Sequence, residues 1–406
     1  MTARSVSSPT AAGLPASGQR RGYILTAGVL LVMMAGGTLP IPLYVIYQRQ
    51  LGFGTLGVTV VFAAYVAGTL FALLALGDLS DHIGRRKVLA AGVACAAVST
   101  VLFLVADGIG LLIAARVVSG LAAGFITGTA TAGLAELQPR GDRRAAAVAA
   151  SGANQAGLGL GALIAGVFAE YVALPTRSVF WAYLGLCVLA LAALTVIPET
   201  VRHPDQAISW RTRLGAPRSM RSVVLGTCLG VFAAFSVFGF FSSLVPAFLH
   251  GTLRVHNLAL IGAAVFGIFM TSAISQAATA RLPARRSLTT GLPMLLVCLA
   301  ALVSALFARA LWLFLGGTFA GGIAAGFIVR GGLTELNRLA EPGHRAAVVS
   351  TFFAAAYLGL GLPPVLTGLL GQRVSAVDAS ACTSVLTAVI VLVALVVVLR
   401  TFADTA

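Results

Sequence analysis

Residues 55–106 read TLGVTVVFAAYVAGTLFALLAL, then GDLSDHIGRRK, then VLAAGVACAAVSTVLFLVA. Two continuous apolar runs, 55–76 and 88–106, flank a short turn that holds all of the charge. Neither run alternates polar and apolar residues, which excludes half-buried strands. About 20 apolar residues make a helix that crosses the hydrocarbon core of a bilayer, and each run fits that length. The turn between them is too short for anything but a reversal at a polar surface, so the two helices are antiparallel neighbours.

The same pattern repeats along the chain. Apolar runs occupy 22–47, 55–76, 88–106, 110–135, 145–170, 178–197, 222–249, 257–279, 288–307, 311–336, 346–370 and 381–400. The whole chain is 59% hydrophobic and only 10% charged, against about 25% charged in a soluble domain. In lipid every backbone N–H and C=O must be paired within the protein, which leaves helices or closed barrels, and continuous runs favour helices. The expected fold is an all-α membrane protein of twelve transmembrane helices.

The formal net charge is +15, and its placement decides its meaning. Of the 27 Lys and Arg, 20 fall in the N-terminal tail, the even-numbered loops and the C-terminus, among them Arg20, Arg21, Arg85, Arg86, Lys87, Arg140, Arg143, Arg144, Arg211, Arg213, Arg285 and Arg286. Arg49, Arg177, Arg254, Arg309 and Arg373 are in the odd-numbered loops, and Arg116 and Arg330 lie inside helices. This bias puts both termini in the cytoplasm of a cell-membrane protein. It supplies no continuous basic face for nucleic acid. Cys95, Cys187, Cys228, Cys298 and Cys382 are scattered through apolar runs without metal-ligand spacing, so no metal or cofactor is expected.

The domains expected are a disordered N-tail (1–21), a six-helix bundle (22–198), a polar Arg- and Pro-rich cytoplasmic linker (199–221), a second six-helix bundle (222–401) and a short tail (402–406). An internal repeat supports this division. Gly133-Leu-Ala-Glu136-Leu returns as Gly332-Leu-Thr-Glu335-Leu, Arg144-Ala-Ala-Ala-Val as Arg345-Ala-Ala-Val-Val, and Leu158-Gly-Leu-Gly161 as Leu358-Gly-Leu-Gly361. Six helices per repeat give two pseudo-symmetric bundles of the same orientation, related by an axis along the membrane normal.

The turn at 77–87 is the most specific signal. Gly77, Leu79, Asp81, Gly84, Arg85 and Arg86 fill every fixed position of G-x-L-x-D-x-x-G-R-[RK], and there the sequence resembles the major facilitator superfamily. Physically, Gly77 and Gly84 permit a tight turn, Asp81 is an anion able to cap a helix N-terminus, and the arginines offer donors to a carboxylate. The resemblance implies a charge network in which Asp81, Arg85 and Glu136 latch the cytoplasmic ends of the helices. In the second half Arg281 stands in place of Asp81, and Glu335 has Arg281, Arg285 and Arg286 as candidate partners.

Arg116-Val-Val-Ser-Gly120 resembles the family's R-x-x-x-G element. Arg116 is about six residues, roughly 9 Å, from one helix end, and a charge in a span costs at least ~2.5 kcal/mol near its centre. It either faces a polar cavity or partner, or snorkels to the interface; for Arg330, nearer the cytoplasmic face, snorkelling is expected. The fifth span carries Gly157, Gly159, Gly161 and Gly166, and its stretch Gly161-Ala162-Leu-Ile-Ala-Gly166 resembles the family's antiporter element, except that Ala162 takes the place of its proline. Small residues for close helix packing explain these glycines equally well. Pro40 and Pro42 break the first helix, where Thr38 and Tyr44 are candidate cavity residues. Asn154 and Gln155 are candidates for a helix–helix hydrogen bond or a ligand contact. Phe232, Phe235, Phe238 and Phe241 form an aromatic stripe; Phe235 and Phe238 line the cavity if the stripe faces the centre, and otherwise serve packing.

The resemblance implies a small-molecule carrier working by alternating access, of the drug or metabolite efflux branch, with proton antiport as the family's expectation. No carboxylate lies deep in a span, so coupling would fall to Asp81, Glu136 or Glu170. Lipids and the substrate are the expected partners of a monomer. The ending Ile197-Pro198-Glu199-Thr200, also seen in sugar-type members, keeps import of a sugar or organic acid as an alternative. A non-transporting receptor of the same fold is another. No nucleophile–base set or nucleotide loop points to an enzyme.

Overall fold

The computed structural model describes residues 16–77, 79–201, 214–251, 256–341 and 344–403. Among them the regular elements are helices: α1 (Ala16–Thr38), α2 (Pro40–Leu51), α3 (Thr55–Ala75), α4 (Leu79–Ile83), α5 (Arg85–Leu104), α6 (Ile109–Leu137), α7 (Arg143–Tyr171), α8 (Pro175–Val196), α9 (Arg221–Ser243), α10 (Val245–Gly251), α11 (Leu258–Ala278), α12 (Ala284–Ala308), α13 (Leu311–Leu339), α14 (Arg345–Leu370) and α15 (Ala376–Ala403). A 3₁₀ turn at Arg218–Met220 precedes α9. Twelve segments are long and apolar enough to cross a membrane, α1 and α2 together making the first.

The protein is an all-α membrane protein built as two six-helix bundles, α1–α8 and α9–α15. Corresponding helices match: α6 and α13 are each 29 residues long and carry the repeated Gly-Leu-x-Glu-Leu near their ends. Large apolar side chains such as Phe71, Trp181, Leu189, Val297 and Trp312 are exposed around the outside, an arrangement that only hydrocarbon tolerates.

One expected boundary is corrected. α1 begins at Ala16, so residues 16–21 are its first turns rather than part of a disordered tail; Ala16, Gln19, Arg20 and Arg21 are good helix formers that carry the helix out of the apolar layer. Residues 1–15, Asp78, Arg254, residues 404–406 and the bulk of the expected linker, 202–213 with Arg211 and Arg213, lie outside the described residues.

The first span is interrupted where its prolines stand. α1 ends at Thr38 and α2 starts at Pro40, with Leu39 N–H still donating to Ala35 O at 3.2 Å. Pro40 and Pro42 bring no N–H to the ladder, so the junction is thinly bonded. Other helix starts follow local chemistry. Asp142 accepts the Arg144 and Ala145 amides at 2.9 and 3.0 Å to cap α7, and Asn257 accepts the Leu260 amide at 2.9 Å to cap α11.

The bundles meet along two seams, α3 with α14 and α7 with α11. At the second, a Cβ on Gly262 would stand 2.4 Å from Ala162 O, so the backbones touch. α2 also packs on α10 and α11, at the face opposite the arginine-rich turns.

Candidate functional site

The turn between α3 and α5 is fastened by five acidic or hydroxyl groups from three places in the sequence. Arg85, at the start of α5, pairs with Asp81 on α4. Its Nη2 donates to Glu136 Oε1 at 3.0 Å, near the end of α6, and its Nη1 to Ser80 Oγ at 2.5 Å. Thr200, just past α8, donates its hydroxyl to Glu136 as well. Glu199 accepts the backbone amides of Arg85 and Arg86 at 2.9 and 3.0 Å. A carboxylate thus closes the N-terminus of α5, where unpaired amides and the helix dipole favour an anion.

Gly84 is required there. Its φ of +104° is closed to residues with a Cβ, and a Cβ would lie 2.7 Å from Glu199 Oε2. Gly77 begins the turn, across which Leu79 N–H donates to Leu76 O at 3.1 Å. The side chain of Arg86 is exposed. Asp81, Arg85 and Glu136 therefore come together as the sequence indicates. The α5 cap comes from Glu199, which sequence reasoning passed over; an acid directly after Pro198 at a helix end was the available signal. These bonds join residues of the first bundle and of the segment directly after α8.

The second bundle is fastened differently. Glu335, almost fully buried, pairs with Arg338 at 2.6 Å on its own helix rather than with Arg281, Arg285 or Arg286. Arg285 stacks on Phe402 at 5.7 Å. Arg330 reaches toward the arginine-rich face, where it donates to Leu282 O at 3.2 Å and to Ala280 O, carbonyls of the turn that follows α11.

Arg116 is 0% exposed. Its Nε donates to Tyr44 Oη at 2.8 Å, its Nη2 to the same oxygen, and its Nη1 to Gly37 O at 2.6 Å. The guanidinium lies over the rings of Tyr44 and Tyr65, 5.4 and 5.3 Å from their centres, within cation–π range. The R-x-x-x-G spacing explains the geometry. A Cβ at Gly120 would sit 2.1 Å from Tyr65 O, so only glycine lets α6 touch α3 there, and Arg116 one turn away comes under the Tyr65 ring.

The remaining candidates separate into packing and interface. Thr38 is buried between α1 and α7, donating to Leu158 O at 2.6 Å. Asn154 donates to Met34 Sδ at 3.1 Å within the first bundle. Gln155 crosses the seam to Ser272 Oγ at 3.0 Å, beside a second crossing from Ser151 Oγ to Gln276 Oε1 at 2.7 Å. At the far end of that seam Glu170 accepts the Leu258 amide at 2.8 Å. Phe238 stacks on Phe269 with centroids 5.1 Å apart, and half-buried Phe235 meets Phe238 and Tyr357 edge-on at 5.6 and 6.2 Å.

Comparison with known proteins agrees with this architecture. The profile of the Major Facilitator Superfamily matches residues 25–313. The chain belongs to the major facilitator superfamily. Among superfamily relatives, an uncharacterised MFS-type transporter of Mycobacterium tuberculosis is 29% identical over 285 residues, 69% of this chain and 38% of the relative. A triacylglyceride transporter of Mycolicibacterium hassiacum is 27% identical over 191 residues, 46% of this chain and 36% of the relative. The chain thus spans well under half the length of the curated relatives it matches. Among solved superfamily structures, the human organic anion transporter MFSD10 aligns with a TM-score of 0.65 at 18% identity, covering 94% of this chain and 99% of that one. A bacterial homologue of the human lysosomal transporter Spinster, in an inward-facing and unoccupied conformation, gives 0.72 at 16% identity, covering 95% and 98%. At these identities the likeness is one of fold.

Proposed function

We propose that the chain is a secondary active transporter that moves a small amphipathic molecule across the cell membrane by alternating access, in the direction of export and in exchange for protons. The observation that carries this reading is the contact pattern between the two bundles. They touch along α3–α14 and α7–α11 and at α2–α10, which leaves rocking about the two seams as the motion open to them. Contact of α2 with α10 closes the face opposite the arginine-rich turns in this conformer. The aromatic group of Phe235, Phe238, Phe269 and Tyr357 beside the seam suits an apolar substrate body. The relative named a triacylglyceride transporter supports an amphipathic substrate.

In this reading the arginine-rich face is cytoplasmic, residues 199–221 link two domains, and the chain works as a monomer. Asp81, Arg85, Arg86 and Glu136, with Gly77 and Gly84 shaping their turn, form the latch. Arg116, Gly120 and Tyr44 belong to the central site. The test is a substrate panel in proteoliposomes with and without an imposed pH gradient. Saturable movement of an amphipathic probe, accelerated by the gradient, is expected. Absence of movement for the whole panel by protein that is folded and correctly inserted would remove the reading.

A further inference from the structure

Arg116 is a cation buried in a span, and among the described residues no carboxylate is paired with it. Ion pairs among the described residues include Arg85 with Asp81 and Glu136, Arg338 with Glu335 and His344 with Glu341, these at the arginine-rich face. Arg116 has no part in them. A buried guanidinium is normally held by a carboxylate; here its partners are a hydroxyl, a carbonyl and two aromatic faces.

The arrangement of those partners is informative. Nε and Nη2 make up the guanidinium edge that a carboxylate takes with two parallel hydrogen bonds. In this conformer both donate to one atom, Tyr44 Oη. Nη1 is bonded on another side to Gly37 O. One phenol oxygen therefore stands where two carboxylate oxygens fit.

Tyr44 is also placed to leave. It belongs to α2, which joins α1 at the proline-weakened break at Leu39 and packs on α7 of its own bundle as well as on α10 and α11 of the other. Movement of α2 about that break carries Tyr44 off the edge of Arg116. Gly37 on α1 and Tyr65 on α3 lie outside that segment and keep holding the guanidinium. Across the seam, Tyr357 is on α14, which packs on the α3 that carries Tyr65, and meets Phe235 edge-on, so an aromatic surface lies on the seam that Tyr65 shares.

From this geometry we infer that the site takes an amphipathic organic carboxylate, whose anion replaces the Tyr44 hydroxyl on the Nε/Nη2 edge of Arg116. As the identity of the cargo, this rests on the transporter reading above; as a binding site it stands by itself. Among the described residues no carboxylate is at this depth to hold a cationic ligand, and Arg116 repels one.

Three probes with one fluorophore test the inference: dansylglycine (anionic), dansylglycinamide (neutral) and dansylcadaverine (cationic), titrated by fluorescence into the purified full chain in detergent. Dansylglycine should bind saturably and about tenfold more tightly than the other two. Arg116→Lys keeps the charge but loses the two-pronged edge, and should weaken dansylglycine about tenfold. Tyr44→Phe removes the competing hydroxyl and should tighten it about threefold to tenfold. Equal or tighter binding of the neutral or cationic probe overturns the inference, as does weaker binding in Tyr44→Phe or no binding of dansylglycine to monodisperse protein. If Arg116→Lys fails to fold, the three-probe comparison and the Tyr44→Phe arm still decide. Binding of dansylglycine without its movement in proteoliposomes would instead count against transport and leave the site standing.

Discussion

Replacing Gly84 by alanine should strike two interactions at once. The first is local: a residue with a Cβ held at φ +104° pays about 1–3 kcal/mol for a conformation open essentially to glycine. The second is tertiary. The new Cβ would stand 2.7 Å from Glu199 Oε2, so the carboxylate must withdraw from the Arg85 and Arg86 amides that it accepts at 2.9 and 3.0 Å. Losing a side-chain cap of this kind costs about 0.5–2 kcal/mol. Gly84→Ala should therefore lose about 1.5–5 kcal/mol, and Glu199→Ala about 0.5–2. Because the first change already removes the cap, Gly84→Ala/Glu199→Ala should match Gly84→Ala within about 0.5 kcal/mol. Equilibrium unfolding of the purified chain in mixed detergent–SDS micelles measures all three. Strict additivity would refute the capping role of Glu199, and a Gly84→Ala variant as stable as the parent would refute the whole account of this turn.

Asp81→Ala is expected to abolish transport in proteoliposomes while the protein still inserts and purifies normally; full transport by that variant speaks against the latch. Gly262→Leu should force α7 and α11 apart, since even its Cβ would lie 2.4 Å from Ala162 O; a loss of about 1–3 kcal/mol in the same unfolding assay, with transport lost, is the expected result. Gln155→Leu and Ser272→Ala should show a coupling of about 0.6–1.7 kcal/mol in a double-mutant cycle, and a value near zero would deny that their bond across the seam contributes. Single cysteines at positions 86 and 286 of a cysteine-free chain should label from the same side of the membrane, and one at position 309 from the other.

Much of the fold is legible in residues 55–106 and their repeats, because hydrocarbon imposes one rule on every span. Length and continuity of apolar residues suffice to find α3, α6 or α14 within a few residues of where they lie. The start of α1 departs from this, since Gln19, Arg20 and Arg21 continue a helix without adding hydropathy. The candidate site is legible where one motif holds its own partners, as at Asp81 and Arg85. It is less so where partners are distant in sequence. Glu199 reaches α5 from more than a hundred residues away, and Tyr44 reaches Arg116 across 72. Nothing in local pattern distinguishes Thr38, committed to Leu158 O, from a threonine facing a cavity. The partner of Glu335 was misjudged because the repeat drew attention to the neighbouring turn, whereas Arg338 lies one helical turn away and needs no tertiary contact.

The exchange of Asp81 for Arg281 between the repeats makes the two bundles respond unequally to electrolyte. The first holds its turn through guanidinium–carboxylate contacts that join separate helices at a wetted surface, and mobile ions weaken such contacts. The second ties the equivalent turn to Arg330 through peptide oxygens, which carry no net charge to be screened, and its Glu335–Arg338 pair spans a single helix and joins nothing. Raising ionic strength on that side of the membrane therefore loosens one bundle's fastening and spares the other's, giving the experimenter a handle on half of a machine whose halves otherwise look alike.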